Sequence, residues 1–302
     1  MEDNIESASI RHGTDIPDAM REVVVGAAGG IAQVLIGQPF DIVKVRMQTQ
    51  ANESALRVAR KIWAQEGTLA FYKGSLSPLL GVGACISIVF SSFHGFKQAL
   101  ASLQPQNPHN TLSLPQTYLA GGMAGLTNSV ISGPMEHIRI RLQIQSSSPT
   151  QRMYKGVRDC VRGILQQAGP AGLYRGQSAT MLREFHSYGI WFSVYEVLLS
   201  HVMETGGKRR DEIASWKIAG CGALTGEVLW AANYPFDVVK SKMQADGFGT
   251  EQRYCNMRDV IRQTWRTHGL HGFFRGLGPT LLRALPVSAG TFLVVEEVRQ
   301  RL

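Results

Sequence analysis

The sequence predicts an all-α membrane protein built as three tandem repeats, each of two transmembrane helices plus a surface helix. Three observations carry that prediction. A ten-residue pattern occurs three times, as PFDIVKVRMQ from Pro39, PMEHIRIRLQ from Pro134 and PFDVVKSKMQ from Pro235. Each copy closes an apolar segment rich in small residues. A second sign opens the next apolar segment of each repeat: Tyr72-Lys73-Gly74, Tyr174-Arg175-Gly176 and Phe274-Arg275-Gly276. A single repeat of this size cannot close a core, so the three form one body. The repeats fall at about 19–104, 114–205 and 212–302, behind an N-terminal tail, 1–18, that is expected to be disordered.

A helix of about 20 residues spans a bilayer. Six segments qualify, covering roughly 22–40, 76–97, 117–135, 178–200, 216–236 and 277–298. The odd segments carry three GxxxG pairs: Gly26 and Gly30, Gly121 and Gly125, Gly222 and Gly226. Glycine at that spacing lets helix backbones approach closely in lipid. Between odd and even segments, 55–65, 156–167 and 257–267 mix apolar and basic residues at helical spacing. These are expected to lie as short helices on the membrane surface. The polar links 105–115 and 205–211 then lie on the opposite side, and both termini share one side.

Composition sets limits. The mean hydropathy of −0.05 is low for a membrane protein. Loops, surface helices and polar faces turned to an aqueous cavity dilute the average. A net charge of +8 suits anionic lipid or anionic solutes. No aromatic–basic motif or zinc spacing points to nucleic acid. The four cysteines, Cys85, Cys160, Cys221 and Cys255, form no CxxC pair and read as reduced thiols. Residues 1–18 have neither a signal-peptide core nor the acid-poor pattern of a transit peptide, so any organelle address is internal. No P-loop, nucleotide-binding glycine motif, metal-ligand cluster or nucleophile signature argues for an enzyme, a cofactor or a metal.

The threefold motif resembles the signature of the mitochondrial carrier family, from about residue 20 to the end. The resemblance implies a six-helix pseudo-threefold barrel in the inner mitochondrial membrane, with termini toward the intermembrane space and surface helices toward the matrix. It also favours a monomer. Proline kinks a spanning helix, so Pro39, Pro134 and Pro235 would tip three helix ends toward one axis. The acid and base of each motif lie three residues apart and share a face. Around a threefold axis, Asp41, Glu136 and Asp237 can pair with Lys44, Arg139 and Lys240 of neighbouring helices. That ring closes the matrix end, and by resemblance Gln48, Gln143 and Gln244 brace it. The competing reading is an ordinary intrahelical bridge. The family's second gate, on the even helices, is degraded to Lys97, Glu196, Glu296 and Arg299. Two pairs at most can form there, so the empty protein is expected to spend more time open to the intermembrane space than a carrier with three full pairs.

Where the repeats differ, the cargo is read. Counting seven and eight past the glycine of the second sign gives Gly81-Val82, Arg183-Glu184 and Arg283-Ala284, the family's contact points. Alignment on the prolines leaves Glu227, Trp230 and Asn233 without equivalents in the other repeats. Intramembrane charges are costly and usually functional. The alternatives are a self-paired Arg183-Glu184 bridge, although adjacent helical residues point apart, and a structural partnership of Glu227 with Arg183 or Arg283. Trp230 is either packing or a wall for an ammonium or aliphatic group. His186 reads as a hydrogen-bonded structural histidine. Two arginines offer forks to a carboxylate, two acids match an ammonium, and Gly81 leaves room. The simplest cargo with both groups is a zwitterion such as an amino acid.

The contact points with Trp230 and Asn233 resemble the amino-acid and carnitine branch. The stretch REFHSYGIWFSVYE is similar to fungal carriers assigned to glycine and glutamate, and also to basic-amino-acid and carnitine/acylcarnitine carriers. The resemblance implies transport by alternating access, with cardiolipin and membrane lipid as partners and cardiolipin phosphates near Gly74, Gly176 and Gly276. A carrier-shaped adaptor that has lost transport is the reading from another class.

Overall fold

The computed structural model describes residues 18–49, 53–103, 112–145, 152–206 and 213–301. The expected tail therefore lies, but for Asp18, outside the described residues, as do 105–111 and 207–211 of the two polar links. Among the described residues the secondary structure is helical throughout, without strands. Six long helices are α1 (Asp18–Thr49), α3 (Leu76–Ser102), α4 (Leu114–Ile144), α6 (Gln177–Gly206), α7 (Ser215–Ala245) and α9 (Leu277–Arg301). Three shorter ones, α2 (Ala55–Glu66), α5 (Val157–Leu173) and α8 (Met257–His268), stand between the long helices of each repeat. The long helices continue through Pro39, Pro134 and Pro235 and reach well past the expected ends.

Each short helix is amphipathic and buries one stripe against the end of its odd helix. In the first repeat Ile42 and Val43 meet Val58, Ile62 and Ala70. In the second, Ile138 and Leu142 meet Tyr154, Cys160 and Ile164. In the third, Val239 and Met243 meet Val260 and Phe273, with Ala179 of α6 packed against them. Full burial of one such aliphatic side chain contributes about 1.5–3 kcal/mol, so these clusters fix each short helix to its repeat. Gly74, Gly176 and Gly276 then reverse the chain into the even helix with φ of 76°, 78° and 88°, a region that penalises a side chain.

The three GxxxG pairs do not behave alike. A Cβ on Gly121 would lie 2.5 Å from the Tyr188 carbonyl oxygen of α6, and one on Gly125 would overlap the Glu184 backbone. This pair seats α4 against α6. Gly26, Gly30, Gly222 and Gly226 have nothing within 4 Å of an added Cβ, so they mediate no close approach. Helix α1 meets α9 through Gly29 instead, where an added Cβ would stand 2.7 Å from Val295.

Apolarity is also uneven. Among the described residues one helix, Leu270–Val298, is long and apolar enough by length and composition to cross a membrane. Thr68–Leu79 and Gly81–Ser102 pass only together, across a bend of 44°. The odd helices carry many buried polar groups, such as Gln38, Lys44, Asn128, His137, Asn233 and Asp237. Such residues turn inward and lower the mean hydropathy of a helix.

Candidate functional site

A cavity of about 380 Å³ lies between the long helices, lined by Gly81, Val82, Glu136, Arg183, Glu184 and Arg283 among others. At one end three ion pairs join three helices. Lys44 of α1 meets Asp237 of α7 at 2.8 Å. Arg139 of α4 meets Asp41 of α1 at 2.7 Å. Lys240 of α7 meets Glu136 of α4 at 2.6 Å. Each acid thus finds a base on another helix, not its own motif's base. Gln48 donates to Asp237 Oδ2 at 3.0 Å. The other two glutamines differ: Gln244 donates to Thr180 Oγ1 at 3.2 Å, and the amide of Gln143 has no hydrogen-bond partner among the described residues. Gln38 takes part as well, accepting from Arg139 at 2.7 Å.

The cavity arginines reach into this ring. Arg183 Nη2 donates to both oxygens of Glu136, at 2.9 and 3.1 Å. The same group pairs with Glu184, whose other oxygen accepts from Asn128 at 3.1 Å. The expectation that adjacent Arg183 and Glu184 point apart is corrected here. Arginine is long enough to fold back over its neighbour once Glu136 fixes its head. Arg283 lies 3.4 Å from Asp41. Gly37 makes that possible, since a Cβ there would sit 2.7 Å from Arg283 Nε. The Lys44 ammonium sits 4.2 Å from the Trp230 ring centre, so the indole faces a ring cation.

Other expected contacts fall elsewhere. Gly81 does not leave free room, because the Met135 side chain fills the space its Cβ would take. Asn233 is buried behind the cavity wall, donating to the Arg183 carbonyl at 3.1 Å and bonded to Ser187. Glu227 is half-buried and, like Ala284, does not line the cavity. His186 bonds to the Tyr118 hydroxyl and stacks on Phe236 with ring centres 5.0 Å apart. At the far end Lys97, Glu196 and Glu296 are exposed, and among the described residues no ion pair joins them. Glu296 instead accepts from Gln300 at 2.8 Å, and the Arg299 side chain lies outside the described residues.

Sequence reasoning gave no role to the second base of each motif. In the structure Arg46 pairs with Glu66, and Lys73 meets the same carboxylate at 2.6 Å. In the second repeat Arg141 bonds to the Asp246 carbonyl, and Arg175 pairs with the Asp246 carboxylate, both at 2.5 Å. A base recurring three times at position seven without a partner was the available signal.

The family model for Mitochondrial carrier protein matches residues 17–103, 110–206 and 211–302. The chain is 41% identical to the glutamate/glycine mitochondrial carrier ymc1 of Schizosaccharomyces pombe, over 95% of this chain and 96% of that one. It is 42% identical to the mitochondrial glycine transporter YMC1 of Saccharomyces cerevisiae, over 92% and 90%. With the mitochondrial basic amino acids transporter of Homo sapiens it shares 39% identity, over 92% and 89%. The three matched segments span nearly the whole chain, and the chain therefore belongs to the mitochondrial carrier family.

Proposed function

We propose that this protein is an inner-membrane secondary transporter of a small zwitterion, an amino acid, working by alternating access without covalent chemistry. The observation that carries the reading is the ring of Lys44–Asp237, Arg139–Asp41 and Lys240–Glu136 pairs closing one end of a charged cavity. The six long helices form a pseudo-threefold barrel with the ring on the matrix side. The termini and the weak outer gate of Lys97, Glu196, Glu296 and Arg299 face the intermembrane space. The names of the relatives support an amino acid as cargo. Cardiolipin phosphates dock near Gly74, Gly176 and Gly276, where the positive end of a helix dipole suits an anion. The protein works as a monomer.

The geometry supplies a route from binding to opening. Arg183 holds Glu184 in the cavity and Glu136 in the ring at once. A substrate carboxylate that takes the Arg183 fork competes with Glu136, and its ammonium takes over Glu184. A ligand shifts a conformational equilibrium only by its differential affinity for the two states, and this exchange provides one. Arg283 does the same for Asp41.

The test is a thermal-shift screen of purified protein against amino acids, carnitine, acylcarnitines, dicarboxylates and nucleotides, followed by uptake into liposomes. Stabilisation by an amino acid that is lost in Arg183→Gln, with matching uptake, is the expected result. A response to dicarboxylates or nucleotides alone overturns the zwitterion reading. A response to carnitine esters alone reassigns the cargo within the branch.

A further inference from the structure

The threefold repeat makes every position its own control, and one position breaks the pattern in a way the transport reading does not use. Just past the ion-pair ring, the first repeat clusters two cations on one acid. Arg46, seven residues past Pro39, and Lys73, one before Gly74, both bind Glu66, eight before Gly74. The three side chains are largely enclosed, so the carboxylate neutralises charge that water reaches poorly. The second repeat has Ala168 in place of that acid, and Asp246 from the end of α7 takes up its cations, Arg141 and Arg175.

In the third repeat the equivalent cations are Lys242 and Arg275, and the position of Glu66 is His268. A cavity of about 260 Å³ opens there, lined by Lys242, Arg275, His268, Thr264, Gln263 and Gln48 among others. Lys242 Nζ donates to Thr264 Oγ1 at 2.8 Å, and among the described residues no ion pair reaches it. A hydroxyl satisfies one of three ammonium donors and none of its charge. The Lys242 ammonium and an imidazole thus border a space that a carboxylate fills in the first repeat.

We propose that this cavity is an anion site, in which a carboxylate or phosphate group takes the place that Glu66 occupies in the first repeat. The volume admits a small oxyanion or a single headgroup, and the hydroxyl and amide groups of Thr264 and Gln263 add neutral hydrogen-bonding partners. The site lies beyond the ring, on the side away from the substrate cavity. An anion there ties α7 to α8 and to the turn before α9, as Glu66 ties α1 to the turn before α3. The inference does not rest on the identity of the cargo.

The experiment uses the whole protein in phosphatidylcholine nanodiscs without cardiolipin, titrated with inorganic phosphate against chloride at matched ionic strength. A rise in Tm with phosphate is expected, because a ligand of the folded state stabilises it by mass action. His268→Glu rebuilds the first repeat's carboxylate, so it raises the Tm without phosphate and removes the phosphate response. Lys242→Gln also removes the response. A parallel series in cardiolipin nanodiscs separates the sources: stabilisation by cardiolipin that His268→Glu abolishes assigns the site to a lipid headgroup. Equal phosphate and cardiolipin responses in wild type and His268→Glu overturn the proposal. So does a wild type that responds to neither. A phosphate response that survives His268→Glu but vanishes in Arg183→Gln places the anion in the substrate cavity and also overturns it.

Discussion

The second repeat seats its two long helices on each other, while the first and third leave the same glycines unused. Gly121 and Gly125 of α4 face the α6 backbone at Tyr188 and Glu184. Gly26, Gly30, Gly222 and Gly226 occupy the corresponding GxxxG positions with nothing against them. A spacing motif states that close approach is permitted; a partner surface decides whether it happens. The tight α4–α6 pair also carries the densest charge in the cavity, since Arg183 meets both Glu136 and Glu184. Its third-repeat counterpart, Arg283, has Asp41 at 3.4 Å. The second repeat is thus the rigid platform of the site, and the other two are its looser flanks.

The sharpest way to break that comparison is the arginine pair. Arg183→Gln leaves Glu184 buried without its cation, and losing one partner of a buried pair costs about 3–5 kcal/mol. Arg283→Gln is expected to cost less, because its pair with Asp41 is longer and Asp41 keeps Arg139 as a partner. Unfolding in detergent, followed by tryptophan fluorescence, measures both; equal losses refute the platform. Next in size are the glycines. Gly125→Ala drives a methyl into the Glu184 backbone and costs about 1–3 kcal/mol. Gly30→Ala and Gly226→Ala meet open space and gain about 0.5–1 kcal/mol from helix propensity. Thermal denaturation of the three variants side by side decides the matter, and a destabilised Gly30→Ala counts against it.

A smaller effect sits at Trp230. Replacing it with Leu removes the ring from Lys44 and costs about 0.5–2 kcal/mol of attraction. Accessibility of a cysteine placed beyond the ring, toward the helix ends, is expected to rise modestly, whereas Asp237→Asn raises it strongly by breaking the Lys44 pair itself. The smallest effect is chemical. Cys160 is fully enclosed in the α5 cluster, and burial pushes its thiol up to about 11. Cys255 is exposed. A maleimide at mildly alkaline pH is expected to label Cys255 and spare Cys160 until the protein unfolds; equal labelling means α5 is not firmly seated.

Much of this arrangement was readable in advance. Three copies of one motif placed acids and bases on three helix ends, and a threefold axis is enough to pair Asp41 with Arg139 rather than with Lys44. Counting residues after Gly74, Gly176 and Gly276 singles out Arg183, Glu184 and Arg283, and these three line the cavity. Asn233 and Glu227 did not follow. Alignment on a proline gives depth along a helix but not the direction a side chain takes, and Asn233 turns from the cavity to the Arg183 carbonyl. Gly81 misled because an absent side chain looks like room until Met135 from another helix is seen to fill it.

What the sequence determined by itself is whatever repeats or depends on local spacing. The long and short helices, the turns at Gly74, Gly176 and Gly276 and the threefold spacing of acid and base all follow from residues a few positions apart. Those signals hold because helical periodicity and backbone conformation are local properties. Only the tertiary structure decided which partner each side chain reaches. Arg183 spans 47 residues of chain to Glu136, Lys44 stacks on Trp230, and Glu66 and Asp246 gather the cations of the first and second repeats. Such pairings depend on long flexible side chains crossing helix interfaces, where a missing Cβ or a shift of one turn changes which charge is nearest. That geometry exists only once the helices are packed.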